Sequence, residues 1–417
     1  MRRKLPHNYY SRVRFMDKSA HKILKMKKLF LFVLMISVQI SAQITLKITS
    51  LPADTPPDAT IYVAGNFNNW NPSSTPLKND GSGNYIFTVP ETGGILEYKF
   101  TRGSWNTAEG NAAGSSLPNR TATFRGSPQT VNLTLQSWEE ETTKRQSTAA
   151  ANVHVLSESF PIPQLNKTRK IWIYLPPDYE KSTKKYPVIY MQDGRNLFDD
   201  ATSFSGEWQV DETLNRLFSE GDYGAIVIGI DNGGDGRIDE YTPWNNEKYG
   251  GGEGDLYMQF VAETLKPFVD EHYRTKAGKE FNALMGSSLG ALISSYGGVK
   301  YRQTFSKIGS FSPAYWIVDK QFNDYIVTST ADLSHTRIYF VAGSGESKTI
   351  VNEIERVKNN LQKKGLRAKN TFVKIDAYGK HNENYWKGEF GAAYHWLFQT
   401  SKLKGRKSAK KSALPQK

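Results

Sequence analysis

From residue 151 onward, apolar runs of strand length alternate with stretches of helical periodicity. No other feature of the 417-residue chain limits its fold as strongly. The runs lie at 171–175, 188–191, 225–230, 282–285 and 338–341, with an alternating run at 371–375. Between them, residues 254–272 place Leu256, Phe260, Val261, Leu265, Phe268 and Val269 on one helical stripe, with Pro267 set to kink its end. Strands alternating with helices imply a mostly parallel sheet covered on both faces.

The preceding region follows a different rule. Residues 44–137 carry short alternating segments at 44–48, 60–64, 85–89, 96–101 and 130–135, with turn formers such as Asn-Asp-Gly-Ser-Gly at 79–83. Short strands at this spacing predict a β-sandwich of about 90 residues. The expected organisation is an N-terminal extension with export signal at 1–42, a sandwich at 43–137 and a linker at 138–150. A catalytic domain follows at 151–401, then a disordered basic tail at 402–417.

The chain has no cysteine, which excludes disulfides, cysteine-ligated zinc, iron–sulfur clusters and a thiol nucleophile. Its formal charge of +13 sits at the ends. Residues 1–28 hold ten Lys/Arg against one Asp, and 401–417 hold seven Lys/Arg and no acid, so +9 and +7 lie there and the remainder is −3. The folded part thus has no basic surplus to bind nucleic acid. Residues 26–42 read MKKLFLFVLMISVQISA: two lysines, an apolar run too short to span a bilayer, then small residues. That is an export-signal pattern, with Met26 as the start and a secreted or periplasmic chain without a stable membrane anchor from about Gln43.

One segment carries chemistry. Gly286-Ser287-Ser288-Leu289-Gly290 fits G-x-S-x-G, follows an apolar strand-like run and precedes a small-residue helix. A nucleophilic serine needs such a strand-to-helix turn, and the glycines remove Cβ atoms that would clash there. Ser288 is the expected nucleophile and requires a base. His381, in a loop before the last helix, is the expected base; His335 precedes a strand and His395 lies within the last helix. The acid that orients the imidazole should follow an earlier strand, which favours Glu346 over Asp376 and Glu383. The oxyanion hole is expected from the backbone N–H of Leu289 and, on the turn Gly194-Arg195-Asn196, that of Arg195.

These residues sit in a wider pattern. MQDGRNLF, EYTPW (240–244), GGEGDLYMQFVAETLKPFVDEHYRT (251–275), GSSLG, FSPAYW (311–316) and GKHNENYW resemble the enterochelin-esterase/esterase-D group of α/β hydrolases, which includes the carbohydrate esterases of family one. The resemblance covers about 151–400 and implies an α/β-hydrolase fold and ester hydrolysis by Ser288, His381 and an acid at Glu346, where many relatives carry Asp. GNFNNWNP (65–72), EYKFTRGSW (97–105) and LPNRTATF (117–124) resemble starch- and glycogen-binding sandwich modules of immunoglobulin-like, all-β form. That second resemblance implies a sugar site at Trp70, Lys99 and Trp105, with Asn119 nearby. Indole faces stack on pyranose rings, while amide and ammonium groups bond hydroxyls.

The expected function is a secreted serine esterase that removes acetyl or feruloyl groups from a polysaccharide such as xylan, with no metal or organic cofactor. A siderophore or small-ester hydrolase, a transferase of the same acyl-enzyme chemistry, and a carbohydrate-binding protein with an inactive hydrolase domain are the competing readings. GGGEG at 250–254 lacks a following Lys-Ser/Thr and is no phosphate loop, and 231–239 lacks the glutamate of a calcium loop.

Overall fold

The computed structural model describes residues 43–398, except 69, 92–94, 113, 115–116, 140–145 and 204–205. The expected export signal and basic tail lie outside these residues.

Eight strands form the sheet of the C-terminal domain: β1 (Val153–Ile162), β2 (Lys167–Tyr174), β3 (Val188–Gln192), β4 (Ile226–Ile230), β5 (Asn282–Ser287), β6 (Lys307–Phe311), β7 (Arg337–Gly343) and β8 (Thr371–Asp376). Their order is β1-β2-β4-β3-β5-β6-β7-β8. Every pairing from β4 to β8 is parallel, and β2 alone runs against its neighbours. The central strands read as unbroken apolar runs because both faces are covered. In β3, Val188 and Tyr190 join one core, while Ile189 and Met191 join the other. The first core lies under the 254–272 helical stretch, α2 (Leu289–Lys300), α3 (Asp319–Thr328) and α4 (Ile350–Lys363). The second lies under α1 (Val210–Ser219) and α5 (Glu383–Phe398). In α4, Ile350, Ile354, Val357 and Leu361 form the single stripe a one-sided helix needs.

The expected break near Pro267 takes a specific form. The stretch runs as α-helix over Gly254–Phe260, as a π turn over Val261–Leu265, and as α-helix again over Lys266–His272. Proline has no N–H to donate, so the ladder slips just ahead of it.

The N-terminal domain is a sandwich. One sheet holds Gln43–Ser50 between Tyr85–Pro90 and Gln129–Thr134, with Lys78–Asn79 at its edge. The other holds Ile95–Thr101 between Tyr62–Gly65 and Arg120–Thr123. Ile44, Leu46 and Ile48 alternate inward to meet Val63, Leu96, Tyr98 and Phe100. The sandwich continues past the expected boundary at 137. Ser137–Trp138 pairs with Glu109–Gly110, and Trp138 is buried in the core with Nε1 donating to Thr55 Oγ1 at 2.8 Å. The far end of the expected linker is docked as well. Ser147, Thr148 and Ala150 bond carboxylates of the C-terminal domain. Among the described residues, no helix is long and apolar enough to cross a membrane.

Candidate active site

Ser288 occupies the turn between β5 and α2, at φ 56° and ψ −121°. A non-glycine residue with this backbone is strained, and the turn is held by what surrounds it. Ser288 N donates to Phe311 O at 2.9 Å, and its carbonyl accepts from Ala314 N at 3.1 Å. The glycines on either side are sterically required. A Cβ on Gly286 would lie 2.9 Å from Gln192 Cγ and from the Gly290 backbone, and one on Gly290 would lie 3.0 Å from Gln192 Cβ. Ser288 is half-buried, at the C-terminal edge of the parallel strands where ligands bind in open α/β sheets.

Glu346 follows β7 and His381 follows β8, on the same edge. His381 Nδ1 meets Glu346 Oε2 at 2.9 Å. This leaves Nε2 as the ring nitrogen available for a serine hydroxyl. The carboxylate is buried and saturated. Its Oε1 accepts from Ser312 Oγ at 2.8 Å and from Gly343 N at 2.5 Å. The two other candidate acids bond other groups. Asp376 caps its own turn through Tyr378 N, and Glu383 approaches Asn196 Nδ2 at 3.4 Å.

Two further residues, Ser312 and Trp386, extend this network. Ser312 Oγ donates to Glu346 and accepts from Trp386 Nε1 at 2.9 Å. The Trp386 ring stands edge-on to His381 with centroids 5.1 Å apart, and Trp208 stacks behind it at 5.7 Å. Both residues lie inside the segments FSPAYW and GKHNENYW, so the signal was present, but nothing in an isolated serine or tryptophan marks such a role. Trp316, from the first of these segments, is 45% exposed and packs its edge against Tyr249.

The sandwich also reaches the site. Strand Ile95–Thr101 turns Leu96, Tyr98 and Phe100 into its own core, so Glu97 and Lys99 take the opposite face. Ile95 Cδ1 lies 4.0 Å from the Cβ position of Gly345, next to Glu346. Burial raises the Glu97 carboxyl; among the charges around it, His381 and Lys380 oppose that rise and Glu346 adds to it. For His381, burial lowers the imidazole. The Glu346 hydrogen bond and charge, then the charges of Glu97 and Glu383, outweigh it, so its pKa stands above the usual histidine value.

For the oxyanion hole, Leu289 is the first residue of α2. Its N–H has no acceptor within the helix and lies at the positive end of the helix dipole. Arg195 lies on a tight turn anchored by Asp193, which Arg237 clamps through two bonds of 2.7 and 2.8 Å. Burial raises the carboxyl of the neighbouring Asp231, which accepts Trp172 Nε1 at 2.9 Å.

Two of the residues expected to bind sugar are neighbours. The half-buried Trp70 and Trp105 rings lie 6.4 Å apart, tilted by 38°. Asn119 is half-buried. Lys99 departs from its expected role. It is 2% exposed, and its ammonium pairs with Glu139 at 2.9 Å, because the strand turns it beneath the Glu139 segment instead of toward solvent.

Comparison with known proteins follows this geometry. The Esterase family model, described as "Putative esterase", matches residues 162–397. The chain belongs to this esterase family. It is a carboxylic-ester hydrolase of α/β architecture with a β-rich N-terminal module. Over 243 residues the esterase is 28% identical to the uncharacterised protein YbbA of Bacillus subtilis (strain 168), covering 55% of this chain and 92% of that one. An alpha-amylase of Niallia circulans is 40% identical over 95 residues, which is 22% of this chain and 7% of the amylase, and this likeness fits the N-terminal module. An enterobactin esterase structure from Shigella flexneri superposes with a TM-score of 0.50 at 16% identity, covering 82% of this chain and 88% of that one, so the fold is shared.

Proposed function

We propose that the esterase is an exported serine hydrolase that removes acetyl or feruloyl groups from a polysaccharide such as xylan through an acyl-enzyme. The observation that carries this reading is the His381–Glu346 pair on the strand edge that also presents the strained Ser288 turn. Ser288 Oγ attacks the ester carbonyl while His381 Nε2 takes its proton. The tetrahedral oxyanion meets the Leu289 N–H and the Arg195 N–H. Collapse breaks the ester C–O bond, and the imidazolium returns the proton to the leaving alcohol. Water, deprotonated by His381, then attacks the acyl-serine, and Ser288 leaves with the proton. Glu346 keeps the imidazole oriented and balances its positive form throughout.

The polysaccharide part rests on the Trp70–Trp105 pair and on the likeness of the N-terminal module to an amylase segment. Two tilted indoles suit a sugar chain better than a compact small ester. Export rests on residues 26–42. Wild type and Ser288→Ala are to be assayed for acetate and ferulate release from acetylated and feruloylated xylan, beside p-nitrophenyl acetate. Release from xylan by wild type, lost by about 10⁴-fold or more in the variant, is the expected result. Turnover of the nitrophenyl ester alone would keep the esterase and remove the polysaccharide. Turnover of a catecholate-serine trilactone instead would move the substrate to siderophores.

A further inference from the structure

The segment that joins the two domains ends on a group of acids at the start of α1. Thr148 Oγ1 donates to Glu207 Oε2 at 3.1 Å, and Ala150 N donates to Asp211 Oδ2 at 2.8 Å. Each of these carboxylates is thereby half used. Glu207 is 7% exposed and Asp211 is 0% exposed, yet Glu207 Oε1, Asp211 Oδ1 and the buried Glu212 Oε2 have no hydrogen-bond partner among the described residues. No lysine, arginine or histidine of the described residues forms an ion pair with any of the three. One carboxylate oxygen from each residue lies within 4.8 Å of the others.

Acids in the first turn of a helix are ordinary, because they face the positive end of its dipole. These differ in being buried together with unsatisfied oxygens. A buried carboxylate without a partner is costly, and three at this separation repel one another through a medium that screens poorly. A single positive guest answers both problems. The donor set is all oxygen and mainly anionic, which selects a hard cation over zinc or copper. Ca²⁺ takes oxygen ligands in a flexible shell and tolerates the geometry a loop and a helix start impose, whereas Mg²⁺ demands a near-ideal octahedron.

We propose that Glu207, Asp211 and Glu212 hold one Ca²⁺ ion, a structural site that fastens the interdomain segment to the start of α1. The site adjoins the catalytic network. Glu207 precedes Trp208, whose ring stacks on Trp386, and Trp386 bonds the Ser312 hydroxyl that supports Glu346. The ion orders the loop that carries Trp208 and takes no part in the reaction.

The test is calcium binding by the purified protein after EDTA treatment and dialysis, followed by calorimetry and by melting temperature, with Mg²⁺ in parallel. The expected result is about one Ca²⁺ per chain and a rise of several degrees in Tm that equal Mg²⁺ does not match. Glu207→Gln/Asp211→Asn should abolish both signals, and its Tm in EDTA should not fall below that of wild type, because like charges have been removed. Should that double variant not fold, Glu212→Gln, which alters the least buried of the three residues, locates the site by weakening binding about tenfold or more. The proposal is overturned by any of three results: no heat and no Tm change in wild type up to millimolar Ca²⁺, a calcium response that survives these substitutions, or Mg²⁺ binding as tight as Ca²⁺.

Discussion

At the residue scale, the proposed mechanism ties the working pH to the electrostatics of His381. Its pKa is lowered by burial and raised more strongly by Glu346, Glu97 and Glu383, so it stands above the usual histidine value. The proposed mechanism requires the neutral ring, so activity is expected to fall as pH drops through that raised value. Glu97 comes from the other domain and touches the chemistry only through its charge. Glu97→Gln removes one of the charges that hold the proton on the ring. The acidic limb of the kcat/KM profile should then move to lower pH, with the plateau changed by no more than about twofold, since no triad group is lost. An unmoved limb would show that the sandwich does not tune the histidine. The Ser288 turn and the His381–Glu346 contact were legible in the sequence, because each residue follows a recognisable strand and the turn glycines fit a steric demand. The sequence could not place Glu97, whose proximity to His381 depends on how two domains pack.

At the element scale, the site depends on how the ends of β7 and β8 approach. A Cβ on Gly343 would lie 2.0 Å from Gly379 O, so only glycine lets the loop carrying Glu346 and the loop carrying His381 close on each other. Gly343→Ala should force them apart. The expected outcome is a kcat loss of about 100-fold with little change in KM, together with about 1–3 kcal/mol of lost stability measured by denaturant unfolding. An unchanged kcat would show that the Glu346–His381 pair tolerates the shift. Strands with apolar cores on both faces were legible as runs: β3, β4, β5 and β7 each contain one. β6 escaped because KIGSF opens with a lysine. Lys307 is nevertheless buried, its ammonium donating to Leu397 O at 2.8 Å, and burial pushes its pKa down to about 8. β1 escaped because much of its length lies at the exposed edge of the sheet and reads as polar. Trp138 was placed in a linker because its neighbours are charged, although its own indole closes the sandwich core.

At the scale of the whole molecule, the sandwich brings a charge toward the candidate active site and carries an aromatic pair. One side of strand Ile95–Thr101 carries Glu97 toward the triad, while Trp70 and Trp105 form an aromatic pair. Among the expected sugar-site residues, Lys99 is the one whose placement differs from the expectation. Position in a motif fixes the residue type, whereas strand alternation and the Glu139 segment decide which side it faces. If the indole pair holds a glycan, Trp70→Ala/Trp105→Ala should weaken binding to insoluble xylan about tenfold or more while p-nitrophenyl acetate turnover stays within about twofold. Retained binding in a pull-down would move sugar recognition elsewhere, with the exposed Trp316, two residues after Ala314, whose N–H bonds the Ser288 carbonyl, as the next site to test. The central claim, across all three scales, is that Ser288 is the activated nucleophile. Its most direct test is reaction of the native protein with a fluorophosphonate, followed by peptide mass spectrometry. The account predicts a single adduct, on the peptide containing Ser288, whose rate falls with the acidic limb of His381 and by about 10³-fold or more in His381→Ala. An adduct on another residue, or none while ester turnover persists, would contradict it.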